Sequence, residues 1–304
     1  MAVPISHVFE QGPVIASLFR TGIAAVRQQR SKGVASPPEV PGPVIEAVLP
    51  PRSPSLIADY VRHVGGDPSA YRHVLPPHLF PQWSFGLAAR TLMGVPYPLL
   101  KVMNGGCKLE VRAPLPANQP LHVRVRLANI DDNGSRAILD QEIITGTEKE
   151  PEALIAHLYA YVPLGSKDKG AAPKKDKARP RVPEDAHELA FWRIPANAGL
   201  QFAMLTGDFN PVHWIPAYAR SFGFRNTILH GFSTMARAWE GLNRNRFAGS
   251  TRALVGMDVR FTRPLLLPAR VGLYVDEAGE HRVFVGDAPG GGAYLEGTYA
   301  LGQA

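Results

Sequence analysis

The chain carries the same order of features twice, and this limits the folds open to it more than any other property. A Gly-Asp turn, an apolar helical stretch and a Pro-containing strand occur first as "GGDPSAYR", Phe80–Leu92 and "KLEVRAPLPANQPLHVRV". They recur as "TGDFNPVH", Gly231–Leu242 and "DVRFTRPLLLPARVGLYV", with Pro114 matching Pro264. Matching order over this length predicts a duplicated unit.

Each copy is predicted to be a long helix followed by a run of strands. The helix in the second copy is apolar on more than one face, so it needs cover on most sides, which a curved antiparallel sheet would supply. β-branched and aromatic runs between Gly, Pro and Asp turns predict the strands. They are Val102–Val111, Leu121–Ala128, Ala137–Thr145 and Ala153–Val162 in the first copy, and Leu254–Thr262, Arg270–Asp276, Arg282–Gly286 and Ala293–Leu301 in the second. The fold class expected is α+β.

A basic segment rich in Lys, Ala, Gly and Pro separates the copies. It holds most of the net charge of +7 and too few apolar residues to fold, so it is expected to be a solvated linker. No aromatic residue alternates with its lysines, which argues against single-stranded nucleic acid as a partner. The predicted divisions are an N-terminal amphipathic segment and connection at 1–44, a first domain at 45–164, the linker at 165–183 and a second domain at 184–304.

Composition and the N-terminal segment limit the cellular compartments in which the protein is expected. The single cysteine, Cys107, fits a reducing compartment, and no run approaches the roughly 20 apolar residues of a membrane-spanning helix. The expectation is a cytoplasmic protein. A mitochondrial transit peptide stays open, because Arg20, Arg27 and Arg30 outnumber Glu10. The stretch "PVIASLFRTGIAAVRQQR" is predicted to be an amphipathic helix docked on the body, with a membrane-surface helix as the alternative.

The stretch "TGDFNPVH" places a carboxylate and an imidazole five positions apart. Asp208 and His213 flank Asn210-Pro211, and proline fixes its own φ while biasing the preceding residue away from helix. Taken alone, such a sequence is most often a structural turn. It is also an arrangement in which an acid and a base could hold one water, since an imidazole changes charge near neutral pH and a carboxylate tunes that change.

The wider stretch "TGDFNPVHWIPAYARSFGFRNTILHGFSTMARA" resembles the signature of the MaoC-like dehydratases, also called hydratase 2. That signature is Gly-Asp-x-Asn-Pro-x-His, a short helix, and an apolar-His-Gly step that opens a long helix, here ending in His230 and Gly231. The first copy resembles the degenerate repeat of two-domain members. The resemblance implies a double hotdog fold and reversible hydration of a trans-2-enoyl thioester to the (R)-3-hydroxyacyl thioester, in fatty acid metabolism and without a metal or other cofactor.

The resemblance also implies the roles of the site residues. Asp208 and His213 hold one water, with Asp208 as the expected base and His213 as the expected proton donor. The backbone N–H of Gly231 meets the thioester oxygen, since a helix start has unpaired N–H groups and a dipole that favours negative charge. Supporting positions are Asn210, His230 and Ser233, with Thr234 as an alternative to Ser233. Trp239 stands where some members carry a serine.

The first copy keeps Asp67 but has Arg72 at the histidine position and lacks nine residues after it. One active site is therefore expected, with Phe80, Trp83, Phe85 and Leu87 as either acyl-pocket walls or plain core. Rival functions are a hotdog thioesterase and a non-catalytic acyl-binding or assembly subunit. The expected substrate is an acyl-CoA or acyl-carrier-protein thioester. No nucleic acid and no membrane surface is expected as a partner, and a monomer or a homodimer is compatible with two fused domains.

Overall fold

The computed structural model describes residues 3–12, 14–18, 20, 38–164 and 179–302. From residue 45 onward, helices and strands follow the same order in the two halves, except that the second half has an additional short helix. The first half contains α1 His7–Glu10, β1 Ile45–Leu49, α2 Pro54–Val64, α3 Pro81–Thr91, β2 Met103–Val111, β3 Leu121–Asp132, β4 Arg136–Gly146 and β5 Leu154–Pro163. The second half contains β6 His187–Ile194, α4 Ala198–Thr206, α5 Pro216–Ser221, α6 Gly231–Arg246, β7 Leu254–Phe261, β8 Ala269–Asp276, β9 Arg282–Gly286 and β10 Ala293–Leu301.

All ten strands form one antiparallel sheet in the order β1-β3-β4-β5-β2-β7-β10-β9-β8-β6. From each edge toward the centre, the strands of a half follow the same order: first, third, fourth, fifth and second strand of that half. At its centre β2 pairs with β7, and Lys108 lies opposite Asp258. These two residues are equivalent positions of the repeat, 150 residues apart, so a pseudo-twofold axis passes through this pair. The duplication predicted from the sequence is thus confirmed by the strand register.

The sheet wraps around the long helix of each half. In α6 the side chains of Phe232, Met235, Ala236 and Trp239 form one buried face, and Ser233, Thr234 and Glu240 on other faces are buried as well. This is why a helix apolar on several faces is stable here, since sheet and neighbouring helices cover it. The main hydrophobic cluster includes residues of both halves, among them Phe80 and Trp83 of the first and Phe232 and Met257 of the second. The fold is the predicted double hotdog of class α+β.

The nine residues missing from the first half correspond to a helix. In the second half α5, Pro216–Ser221, follows the short 3-10 helix Pro211–His213. In the first half the 3-10 helix Pro68–Tyr71 leads instead to a second short turn, Pro77–Leu79, and then to α3. The loss therefore falls directly after the position of His213, as the unequal repeat offsets predict.

The N-terminal segment and the linker are described in part. Val14 is buried, and the hydroxyl of Ser17 donates to the carbonyl oxygen of Gly86 at 2.6 Å, so the beginning of the predicted amphipathic helix lies against the body. Most of that helix and linker residues 165–178 lie outside the described residues. The last part of the segment assigned to the linker packs against the second half. Arg181 forms an isolated β-bridge with Gly292, and the apolar side chain of Val182 is buried. Among the described residues, no helix is long and apolar enough to cross a membrane.

Candidate active site

The loop between α4 and α6 holds the predicted acid and base. α4 ends at Gly207, whose φ of 83° is in the left-handed region that glycine adopts without strain. Asn210 then caps the following 3-10 turn, because its side-chain oxygen accepts the N–H of Val212 at 3.3 Å. A Cβ on Gly199 would collide with the carbonyl oxygen of His213. Glycine at 199 thus lets α4 pack directly on the turn that carries the imidazole.

The ring of His213 is held by one backbone hydrogen bond. Nδ1 donates to the carbonyl oxygen of Ile228 at 2.9 Å, which in the neutral ring leaves Nε2 as the atom with the lone pair. Burial lowers the pKa of His213, while the nearby Asp208 carboxylate acts in the opposite direction. A neutral imidazole with a free acceptor nitrogen is the form of a general base at neutral pH.

The second imidazole lies against the first. The rings of His213 and His230 stack with their centroids 3.5 Å apart. Nε2 of His230 donates to the backbone carbonyl of Asp208 at 3.0 Å and lies 3.8 Å from its carboxylate oxygen Oδ2. Burial, and then His213, lower the pKa of His230 well below its usual value. His230 is therefore neutral and ties the Asp208 loop to the start of α6.

Gly231 begins α6 beside this group. Its N–H has no hydrogen-bond partner among the described residues, as is usual for the first residue of a helix. A Cβ at this position would lie 2.6 Å from the ring of Phe261, which no real contact allows. The absence of a side chain thus lets Phe261 of β7 close over the helix start, and a free backbone donor remains there.

The other predicted supporting residues have different surroundings. The backbone N–H of Asn210 points to the Asp208 carboxylate at 3.3 Å, so Asn210 shapes the loop. Ser233 is fully buried and its hydroxyl has no partner among the described residues. The hydroxyl of Thr234 approaches the carbonyl of His230 at 3.4 Å. Trp239 is fully buried one turn further along α6.

Asp208, His213 and His230 are also close enough to share a metal ion. One ligand atom of each lies within 4.8 Å of the others, and two histidines with a carboxylate are a common set for catalytic zinc. One nitrogen of each ring is committed to a backbone carbonyl, at Ile228 and at Asp208, which leaves the second nitrogen of each. The expectation of a metal-free site stays a prediction.

The equivalent place in the first half has a different chemistry. Asp67 is exposed and accepts the N–H of Ser69 at 2.9 Å, as a turn cap does. Phe80 and Pro81 stand where the second half has His230 and Gly231, and proline has no N–H to offer an oxyanion. The four candidate walls Phe80, Trp83, Phe85 and Leu87 belong to or pack on the main hydrophobic cluster, and the rings of Phe80 and Phe85 contact Phe232.

Several residues of the site could not be found from the motif. Phe261 belongs to a Phe-x-x-Pro step that resembles the family's strand, but nothing in the sequence showed that its ring fixes the need for glycine at 231. The carbonyl of Ile228, which sets the tautomer of His213, belongs to a backbone group and leaves no trace in the residue types. Phe202 of α4 lies against His230, with ring centroids 4.8 Å apart, and its only sequence signal is an apolar helix before the motif.

Comparison with known proteins agrees with this geometry. Residues 174–288 match the family described as MaoC like domain. The chain is 30% identical to 3-hydroxyacyl-thioester dehydratase X of Mycobacterium tuberculosis over 166 residues, 54% of this chain and 55% of that protein. It is 32% identical to 3-hydroxyacyl-thioester dehydratase Y of the same organism over 189 residues, 60% of this chain and 63% of that protein. The chain thus spans less than two thirds of the length of these curated relatives.

Solved structures agree on the fold. The crystal structure of HtdX of Mycobacterium tuberculosis superposes with a TM-score of 0.66 at 23% identity, covering 84% of this chain and 99% of that one. A conserved hypothetical protein of the same organism, described as having a double hotdog fold, superposes with a TM-score of 0.56 at 13% identity, covering 89% of this chain and 100% of that one. The fold and site define a double-hotdog protein in which, among the described residues, the second half carries Asp208 and His213 and the first half has no equivalent pair. The second half of the chain, over residues 174–288, thus matches the MaoC-like domain family.

Proposed function

We propose that this protein is an (R)-specific enoyl-thioester hydratase, which adds water reversibly to a trans-2-enoyl thioester and forms the (R)-3-hydroxyacyl thioester. The observation that carries the proposal is the neutral His213 with a free Nε2 beside the Asp208 carboxylate, at a helix start with an unpaired N–H. Relatives named 3-hydroxyacyl-thioester dehydratase and (R)-specific enoyl-CoA hydratase support it.

In the proposed hydration a water lies between Asp208 and His213. Nε2 of His213 accepts one proton of this water while its oxygen bonds to the β-carbon of the enoyl group. The carboxylate of Asp208 accepts a hydrogen bond from the water's other O–H, whose hydrogen stays on the oxygen as the hydroxyl of the product, and it stabilises the imidazolium that forms. His213 then returns its proton to the α-carbon. Such proton transfers contribute on the order of 10²–10⁴ in rate.

This division of roles differs from the one suggested by the sequence, where Asp208 was the expected base and His213 the expected donor. A resting proton donor would have to be protonated. Burial lowers the pKa of His213 and Nδ1–H is committed to a carbonyl, so the neutral ring acts first as an acceptor. It becomes a donor only after it has taken the proton from water.

Negative charge builds on the thioester oxygen during attack, and the backbone N–H of Gly231 is the proposed donor to it. The helix dipole of α6 adds favourable potential at this end. With the thioester oxygen fixed at Gly231 and the water fixed by the pair, attack reaches one face of the double bond only. The product should therefore have a single configuration, R by analogy with the relatives, which chiral chromatography of the 3-hydroxyacyl product would test.

The first half is proposed to serve as scaffold, with the divisions 1–44, 45–164, 165–183 and 184–304 as working units. No second pair can form, because Arg72 is exposed where His213 stands and Pro81 lacks the N–H of Gly231. Two fused hotdogs supply the pairing of a dimer within one chain, so a monomer would suffice and a homodimer is compatible. A cytoplasmic location and a CoA or acyl-carrier-protein thioester complete the proposal.

One assay separates the proposal from its rivals. The protein is incubated with a short trans-2-enoyl-CoA, and the absorbance of the conjugated double bond and the free thiol are followed together. Loss of absorbance without thiol supports hydration, release of thiol would indicate a thioesterase, and neither change would indicate an acyl-binding subunit. Asp208→Asn serves as the inactive control, and Asp67→Asn as the matched change in the first half.

A further inference from the structure

A cavity of about 210 Å³ lies where α2, the start of α4 and α6 meet, and none of its lining residues belongs to the loop of Asp208 and His213. Polar groups dominate its wall, with His63 from α2, Gln201 from α4 and Arg237 from α6. A polar cavity of this size holds far more than the roughly 10–15 Å³ that one water needs. It is therefore large enough for a small solute.

Arg237 is the group that makes this cavity unusual. Its Nε atom is buried and has no acceptor, and the side chain forms no ion pair with any described residue. Burial lowers the pKa of Arg237 to about 10, so the guanidinium is still charged at neutral pH. The residue as a whole is half-buried, and a partly desolvated cation without a counter-ion is costly, so proteins normally pair it.

Asp59 on the cavity wall and Glu240 on the helix of Arg237 have other partners. Asp59 on the cavity wall accepts from Nε2 of His7 at 2.9 Å and from Nη1 of Arg62 at 2.8 Å. Glu240, on the same helix as Arg237, accepts from the hydroxyl of Tyr71 and from His78. Neither relieves the charge of Arg237 by direct contact, so the described residues leave one positive charge facing the cavity.

His63 supports the same interpretation. Its Nε2 is buried and unpaired, like Nε of Arg237. Burial and then Arg237 lower the pKa of His63 to about 3, so its ring is neutral and can offer an N–H without adding a competing charge. Gln201 adds an amide donor at the wall. The ring of His63, the amide of Gln201 and the unpaired cation of Arg237 face the same cavity. A bound anion would accept hydrogen bonds from these groups and neutralise the charge.

We propose that this cavity is a binding site for an oxyanion, a carboxylate or phosphate group, with Arg237 as its charge partner and His63 and Gln201 as further donors. The planar guanidinium matches such groups because its N–H donors form a rigid fork. The site is separate from the catalytic pair. Phe202 stands between them, its ring centroid 4.8 Å from that of His230 and 6.1 Å from that of His63.

The spacing suggests how the two sites relate. His230 precedes α6 and Arg237 lies seven residues further, about 10 Å along the axis at 1.5 Å per residue. The oxyanion could therefore be the far end of an acyl chain whose thioester lies at Gly231, or a separate small metabolite. In both cases the protein recognises the same group, an oxyanion. The proposal does not depend on the hydratase activity.

Binding is tested on the whole protein with inorganic phosphate and with succinate as probes, at constant ionic strength against sodium chloride. Calorimetric titration and the melting temperature are the measurements. We expect saturable binding and a rise in Tm with at least one probe. Arg237→Met should weaken binding at least tenfold and, without anion, should melt no lower than the wild type, because it removes an uncompensated buried charge. Arg260→Met, which changes a well exposed arginine, is the control and should bind as the wild type does.

Absence of saturable binding to the wild type, or equal binding by Arg237→Met, would overturn the proposal. If Arg237→Met fails to fold, Arg237→Lys decides, since it keeps the charge, loses the fork and should bind more weakly. Asp208→Asn should bind the anion normally, so failure of the proposed hydration would leave this result intact. A lower KM for an enoyl-CoA with a terminal carboxylate than for its methyl-ended analogue, lost in Arg237→Met, would place the oxyanion on the substrate; equal KM values would place it on a separate molecule.

Discussion

The rings of His213 and His230 stack with their centroids 3.5 Å apart, and only one of them faces the proposed water. Two imidazoles in such contact cannot both be protonated in a buried site, because like charges repel strongly there. His230 is the more buried ring and donates Nε2–H to the backbone of Asp208. His230 is therefore neutral and holds the loop, and we propose that His213 is the ring that exchanges the proton.

The proposed catalytic pair, Asp208 and His213, gives the first prediction. Asp208→Asn and His213→Ala should each lower kcat by roughly 10²–10⁴, since each removes one partner of the water. The double variant should lose much less than the product of the two effects, because both groups act on one water. Steady-state kinetics with a trans-2-enoyl-CoA, with circular dichroism to verify folding, measures this.

Asp67→Asn and Arg72→Ala are the matched controls in the first half. Both side chains are exposed, and Asp67 only caps a turn, so turnover should stay within a few-fold of the wild type. A folded first-half variant without activity would show that the protein has a second essential site.

The pH dependence of hydration gives the second prediction. His213 must be neutral to accept a proton, and burial lowers its pKa below 6.5. The acid limb of kcat/KM should therefore lie below pH 6.5, with activity lost as pH falls through the lowered pKa. Asp208 raises this pKa, so in Asp208→Asn the limb of the residual activity should move to still lower pH. A limb that moves to higher pH would exclude His213 as the titrating base.

The sequence predicted helices and strands well where the spacing of apolar residues fitted only one type of element. Strand Leu254–Thr262 was predicted and Leu254–Phe261 is found, and the helix predicted over Phe80–Leu92 is observed as α3, Pro81–Thr91. β1 and β6 were not predicted. β6 contains "HELAF", which lacks a regular alternation because the strand lies at the edge of the sheet and its register shifts between Glu188 and Ala190.

The sequence predicted less of how the halves meet. The motif identified the residues Asp208, His213, His230 and Gly231, which the fold brings together. It could not show that Tyr71 and His78 of the first half reach Glu240 of the second, because these contacts join residues more than 160 positions apart. Nor could it show the tautomer of His213, since a backbone carbonyl fixes it.

Those long-range contacts give the third prediction. Glu240 is buried and accepts from the hydroxyl of Tyr71 at 2.6 Å and from Nε2 of His78 at 2.8 Å. Glu240→Gln keeps the volume but weakens two hydrogen bonds to a charged acceptor, and should lower the free energy of unfolding by about 1–3 kcal/mol. Glu240→Ala also opens a cavity and unpairs both donors, and should cost about 3–5 kcal/mol.

Urea unfolding followed by fluorescence measures the effect, and Glu296→Gln is the control. Glu296 pairs with Arg260, whose side chain is 75% exposed, and such a pair should contribute less than about 1 kcal/mol. Equal stability of Glu240→Gln and the wild type would mean that the buried carboxylate does not hold the halves together.

The last prediction concerns the start of α6. Gly231→Ala places a Cβ 2.6 Å from the ring of Phe261, so either the helix start or the ring must move. We expect kcat to fall by up to roughly 10²–10³-fold, the range found when one oxyanion donor is lost, because the N–H of residue 231 is displaced. Phe261→Leu removes the ring edge and should restore part of this loss when combined with Gly231→Ala. Gly279→Ala, whose new Cβ meets nothing within 4 Å, should leave kcat unchanged. Full activity of Gly231→Ala, without a compensating change at Phe261, would show that the backbone N–H of residue 231 is not the oxyanion donor. The orientation proposed for the thioester would then be wrong.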